Sequence, residues 1–267
     1  MRIVRVEAEG IAVHAAQQAD GTLLKIHGDI LGEYRVTDVP VAYGRLLAPI
    51  VPAAVLCIGL NYRHHAAETN ARVPDYPILF LKGPNTVIGP GEPIQIPRAL
   101  RSDKVDYEAE LTIVIGKTCK NVKRENALDY VLGYTCGNDV SARDWQMERG
   151  GSQWSRGKGF DTFCPLGPCI VTTDEIPDPN ALQIRTIVDG EVLQDWNTSD
   201  MIFDVPALIE FLSGSTTLQA GTVILTGTPQ GVGMGRTPPR FLQPGNSVTI
   251  EIEKVGSLTN PVIEEPQ

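Results

Sequence analysis

The chain has 267 residues, 23 of them Lys or Arg and 32 Asp or Glu, for a formal net charge of -9. That charge is repelled by phosphates, which argues against nucleic acid and anionic membrane surfaces as partners. No run approaches the roughly 18 uninterrupted apolar residues of a membrane span. Hydrophobic residues make up 42%, enough for a substantial core, and 26 glycines and 20 prolines punctuate β-rich runs in the manner of a turn-rich β protein.

The opening Met1-Arg2-Ile3-Val4-Arg5-Val6-Glu7 lacks the long apolar stretch of a secretory signal. A cytoplasmic protein is expected, with the mitochondrial matrix as the alternative for a chain whose transit segment has been removed. Short strands are predicted at Ile3–Ala8, Ile11–His14 and Leu23–His27, the last two joined by a turn at Asp20-Gly21. Pro49 and Pro52 bracket a linker, which divides the chain into a small N-terminal β domain (residues 1–50) and a larger domain (residues 51–267). The larger part opens with buried strands at Ala54–Ile58 and Pro77–Leu81, followed by a long strand of period two over Val105–Ile115. Helices are predicted at Lys123–Leu132, stopped by Gly133, and at Asp204–Leu212, capped by Asp204 and stopped by Gly214. Strands return at Thr222–Thr226 and Ser247–Ile252, and the tail from Asn260 to Gln267 is expected to fray. Many strands, few helices and no βαβ rhythm give a mixed β (α+β) fold with helices packed outside.

The five cysteines include no C-x-x-C pair, so neither a disulfide framework nor a zinc ribbon is indicated. Cys57 and Cys136 sit in apolar runs and read as core. Four histidines leave no room for a His-rich metal site, whereas oxygen ligands are plentiful.

The most informative run is Asp106-Tyr107-Glu108-Ala109-Glu110-Leu111. On a strand Glu108 and Glu110 share a face with Cα atoms about 7 Å apart, opposite an apolar face. Two such carboxylates need either Lys or Arg neighbours at a solvated surface or a hard cation between them. Asp139, placed where a strand end would present it, supplies a third carboxylate or else caps a helix. Lys158 heads a Gly- and Pro-bounded strand, as a surface cation or as one facing the same site. In Asn61–Glu68 a helical turn brings His65 and Glu68 together at i, i+3, a general-base arrangement or an exposed charged face, while His64, offset by about 100°, points elsewhere. Gly227–Gly235 is neither G-x-G-x-x-G nor a Walker loop, but its amides can serve a carboxylate. No G-x-S-x-G elbow is present.

Taken in order, Gly59-Leu60-Asn61-Tyr62…His65…Glu68, Asp106–Leu111, Asn138–Asp144, Lys158-Gly159-Phe160-Asp161 and Leu225–Pro229 resemble the fumarylacetoacetate hydrolase family over about residues 53–256. The likeness is greatest to the subgroup of fumarylacetoacetate hydrolase domain-containing protein 2. The resemblance implies a β-sandwich roll, a homodimer, and one Mg²⁺ or Mn²⁺ held by Glu108, Glu110 and Asp139. It implies that Lys158 contacts the reacting oxygens, that His65 and Glu68 lie on a lid element, and that Lys82, Arg143, Gln146 and Thr228 lie near the substrate. The expected substrate is a small enolisable 2-oxo or 1,3-diketo acid. C–C bond hydrolysis of an acylpyruvate is placed first and oxaloacetate keto–enol tautomerisation nearly level with it. Decarboxylation is third, and a metabolite-binding protein on the same fold is the non-enzymatic alternative.

Overall fold

The computed structural model describes residues 1–151 and 153–267. The N-terminal part forms β1 (Arg2–Ala8), β2 (Ile11–Gln17), β3 (Leu23–Gly28), β4 (Tyr34–Pro40) and β5 (Arg45–Leu47). Then come β6 (Val55–Gly59), helix α1 (Arg63–Glu68), β7 (Ile78–Lys82), β8 (Val87–Ile88), β9 (Ile94–Ile96), β10 (Val105–Asp106), β11 (Ala109–Ile115), β12 (Val131–Asn138) and β13 (Ser141–Ala142). The last part holds α2 (Trp154–Lys158), β14 (Cys164–Thr172), β15 (Gln183–Val188), β16 (Glu191–Asn197), α3 (Val205–Ser213), β17 (Val223–Leu225), β18 (Ser247–Ile252) and β19 (Gly256–Glu264).

Among the described residues, twelve strands form one sheet in the order β4-β3-β2-β1-β14-β12-β11-β17-β6-β7, with β5 on β1 and β8 on β14. A second sheet of five runs β16-β15-β18-β19-β9, and β10 pairs with β13 alone. A core including Leu111, Ile113, Tyr134, Ile184, Ile250 and Leu258 fills the space between the two larger sheets. A further core, including Val114, Cys57, Leu225 and Leu166, covers the outer face of the large sheet. The mixed β architecture with few helices is therefore as expected. The first fifty residues continue the large sheet, because β1 pairs with β14 at Arg2↔Val171 and Ile3↔Ile170. Ala48, Pro49 and Ile50 are buried where a linker was expected.

Helix α3 forms as predicted. The Asp204 side chain accepts from the Ala207 N–H, and Val205, Leu208, Ile209 and Leu212 are buried. Three expectations fail for tertiary reasons. Arg124–Tyr130 forms only a 3₁₀ segment, since Val131 and Leu132 are drawn into β12, where Val131 pairs with Ile115. The strand over Val105–Ile115 breaks at Tyr107–Glu108, where side chains replace the ladder: Asn138 Oδ1 accepts the Glu108 N–H and Gln194 Oε1 the Ala109 N–H. Beyond that break all seven residues of β11 are buried, so no face is solvated. The tail does not fray, because β19 pairs with β18 and β9 through Glu264 and Glu265 donates its N–H to Ile96 O.

The centre of the sheet tolerates no extra volume at Gly133 of β12. A Cβ there would lie 2.2 Å from Val171 O of the neighbouring strand. Gly133→Ala is expected to cost ~2 kcal/mol by overpacking and to lower Tm by ~5 °C for a chain of this size. Thermal unfolding followed by circular dichroism checks this, and an unchanged Tm would show that β12 and β14 can part at little cost.

Candidate functional site

The break between β10 and β11 and the end of β12 lie side by side. Ala109 pairs with Asn138, and the Asp139 N–H donates to Glu108 O at 3.0 Å. This register brings Glu108, Glu110 and Asp139 together as a buried triad whose ligand oxygens all lie within 4.8 Å of one another. Asp139 stands at the strand end, where the sequence put it.

Three buried cations surround the triad. Lys158 ends α2 instead of heading a strand. Its Nζ donates to Glu108 Oε2 at 2.8 Å, Asp139 Oδ2 at 2.6 Å and Ser141 Oγ at 2.7 Å. All three ammonium protons are thus engaged, and Lys158 reaches a substrate oxygen only by releasing one of them. Arg143 places Nε 2.9 Å from Asp106 Oδ2, Nη2 2.7 Å from Glu108 Oε1 and Nη1 3.0 Å from Gln146 Oε1. Lys82, at the end of β7, donates to the carbonyls of Val140, Lys158 and Phe163, with Asp139 Oδ1 at 2.7 Å.

Counting Asp106, four buried carboxylates face these three cations, and Glu110 is the one left over. Its partner is a backbone amide, the Gly227 N–H at 2.7 Å. Burial raises the Glu110 carboxyl well above its usual range, and the neighbouring Asp139 and Glu108 carboxylates push it further. Glu108 goes the other way. Burial opposes its ionisation, but Lys158 and Arg143 outweigh that and hold it well below the carboxylate range. Lys158 is likewise raised, because Asp139 and Glu108 overcome the desolvation that would lower it.

An oxygen-only donor set with one uncompensated carboxylate suits a hard divalent cation. Linkage makes this testable without turnover. The folded protein without the ion keeps the Glu110 proton that the unfolded chain gives up, so its stability falls as pH rises from the ordinary carboxylate range toward the raised folded value. In EDTA, Glu110→Gln is therefore expected to melt higher than wild type, by more at roughly pH 8 than at roughly pH 5. Saturating Mg²⁺ should reverse the order, since only wild type keeps the third ligand. A wild-type advantage in EDTA at both pH values would contradict the surplus charge.

His65 and Glu68 meet at i, i+3 as their spacing predicted. His65 and Glu68 lie on α1 with His65 Nδ1 2.9 Å from Glu68 Oε2, and Glu68 Oε1 accepts the Gly231 N–H at 2.8 Å. His64 turns away to Asp200 Oδ1 at 3.0 Å. A cavity of ≈ 270 Å³ joins the triad and His65, and Arg143, Gln146, Lys158 and Thr228 also line it. Lys82 does not; its side chain is fully buried behind Asp139. The glycine-rich run serves carboxylates of its own chain: Gly227 N–H reaches Glu110, Gly231 N–H reaches Glu68, and Gly233 and Met234 N–H reach Asp106.

Sequence reasoning overlooked three supporting groups. Asp106 anchors Arg143, and its i, i+2, i+4 spacing with Glu108 and Glu110 was the available signal. Gln194 bridges the Ala109 N–H to Thr228 Oγ1 and Pro229 O, and Ser141 takes the third Lys158 proton. Neither stands in a pattern that marks it. All five cysteines are free and buried, and burial raises each thiol, Cys164 to about 12.

Residues 54–263 match the model of the fumarylacetoacetate (FAA) hydrolase C-terminal family. The mitochondrial oxaloacetate tautomerase fahd2 of Xenopus laevis is 52% identical over 219 residues, 82% of this chain and 68% of that protein. Among solved structures, 5-carboxymethyl-2-hydroxymuconate delta-isomerase from Mycobacterium smegmatis superposes with a TM-score of 0.87 at 42% identity, covering 99% of this chain and 100% of the other. The fumarylacetoacetate hydrolase of Exiguobacterium antarcticum gives a TM-score of 0.89 at 38% identity with the same coverage.

Proposed function

The chain belongs to the fumarylacetoacetate hydrolase family, a family of enzymes, and from that premise we propose that it is a divalent-cation-dependent keto–enol tautomerase of oxaloacetate. The observation that carries the reading is the cavity lined both by the Glu108–Glu110–Asp139 triad and by His65, whose Nδ1 is held by Glu68. C–C bond hydrolysis, placed first on sequence, gives way because the Xenopus relative is named a tautomerase and the Mycobacterium structure an isomerase.

Mg²⁺ or Mn²⁺, held by Glu108, Glu110 and Asp139, would supply a Lewis acid at the oxygens of a 2-oxo acid. The chain's own residues handle the proton. Glu68 occupies His65 Nδ1, which leaves Nε2 as the nitrogen free to exchange a proton with C3. The Gly231 amide fixes Glu68 and so the plane of the pair. Gln146 and Thr228 offer polar atoms to the substrate, while Arg143 is held by Asp106 and Glu108 and acts through them. Tautomerisation needs only this proton shuttle, whereas hydrolysis must also position a water.

The homodimer implied by the resemblance is supported by edge strand β7, which leaves Leu79 and Leu81 exposed. Among the described residues no helix is long and apolar enough to cross a membrane. The Xenopus relative's name places that protein in mitochondria, so fractionation of the native host, where one exists with organelles, decides the compartment.

The assay follows enol absorbance and pyruvate release together, with oxaloacetate or an acylpyruvate, in Mg²⁺, Mn²⁺ and EDTA. Cation-dependent loss of the enol without pyruvate is expected. Pyruvate released from the acylpyruvate at a comparable rate would restore the hydrolase, and pyruvate from oxaloacetate would mark decarboxylation.

A further inference from the structure

The cavity is chemically two-sided: the carboxylate triad lines it, and so do the apolar side chains of Leu60, Phe80, Met147 and Trp154. The wall is built into the fold. The Trp154 indole lies so close over Gly59 that a Cβ there would stand 2.1 Å from Cζ3, and the Phe80 ring meets it edge-on at 5.9 Å. Phe80 also lies 5.0 Å from Lys158 Nζ, so the apolar surface begins beside the charged cluster.

The charges available along the apolar wall are the deciding point. The only Lys or Arg among the described lining residues are Arg143 and Lys158, and both are paired with carboxylates of the chain. With the 1-carboxylate and 2-oxo oxygen of a substrate at the triad, the C3 substituent points toward the wall. The second carboxylate of oxaloacetate would meet there no free cation, at a desolvation cost. An arene or alkyl group at the same place would be buried against two aromatic rings, which is favourable.

We propose that this site also tautomerises 2-oxo acids bearing an apolar or aromatic group on C3, with arylpyruvates as the type. The inference rests on the tautomerase reading above. The step balances without a co-reactant. In the enol-to-keto direction the His65 imidazolium gives its Nε2 proton to C3, where the C2=C3 pair forms C3–H; an oxygen lone pair forms C2=O as the O–H bond breaks, and the released proton returns to His65 Nε2.

The test uses the full-length protein with Mg²⁺ and compares ketonisation of the enols of phenylpyruvate and oxaloacetate. Cation-dependent turnover of phenylpyruvate, with kcat/KM at least equal to that for oxaloacetate, is expected. Turnover of oxaloacetate alone overturns the inference and leaves the tautomerase reading intact; turnover of neither overturns that reading. Met147 is 58% exposed, so Met147→Arg adds a cation at the rim without disturbing the core. It should shift the kcat/KM ratio toward oxaloacetate by ~5-fold, the scale of one partly exposed ion pair. Trp154→Ala should lower kcat/KM for phenylpyruvate more than for oxaloacetate. Ratios unmoved by both variants would show that the wall does not contact the substrate.

Discussion

Asp139→Asn is expected to abolish measurable divalent-cation binding in titration calorimetry and to reduce turnover by ~10³-fold, the scale of several kcal/mol of Lewis-acid stabilisation. The amide preserves shape but removes one of three ligand charges from a site whose ligand atoms lie within 4.8 Å of one another. The same residue lies 2.7 Å from Lys82 Nζ and 2.6 Å from Lys158 Nζ. Asp139→Ala would also take one acceptor from each of two buried ammonium groups and leave a void, and is expected to melt below Asp139→Asn. The two variants separate the catalytic loss from the structural one. Wild-type cation affinity in Asp139→Asn would sink the metal assignment.

His65→Ala is expected to lower kcat by ~10²- to 10⁴-fold, the range for losing a positioned general base, while cation affinity stays within experimental error. That contrast follows from the geometry, because His65 is bonded to Glu68 and not to any carboxylate of the triad. Glu68→Gln should fall between wild type and His65→Ala, since it leaves the imidazole in place and weakens only its orientation. A parallel loss of cation affinity in His65→Ala would mean the imidazole is itself a ligand.

Much of this site was legible because its chemistry lies in short runs. Glu108 and Glu110 sit two apart, one at the break before β11 and one on it, and His65 and Glu68 sit three apart on one helical turn, so local spacing alone brings each pair together. What could not be read are contacts made across the sheet. Lys82 carries the charge of a substrate-binding residue, yet β7 delivers it behind Asp139, where three carbonyls hold it. Lys158 ends a helix because the strand that follows begins only at Cys164. The 3₁₀ segment at Arg124–Tyr130 had a helical apolar pattern, but pairing of Val131 with Ile115 claimed its last turn. Periodicity reports which face of an element is apolar; it does not report which neighbour will compete for it.

The glycine-rich run has a consequence for the order in which the molecule is made. Its amides reach Glu110, Asp106 and Glu68 across 117, 127 and 163 residues of chain. At roughly 5–20 residues per second of synthesis, a growing chain displays its acidic cluster for ~6–23 s before Gly227 exists to tether Glu110. During that interval β17 is also missing, so β6 and β11 have no strand between them. A cation meeting the nascent chain finds loose carboxylates and no finished cage. Maturation of the site thus waits for synthesis to pass Gly227, and refolding from denaturant should show cation protection appearing with the phase that closes these long loops.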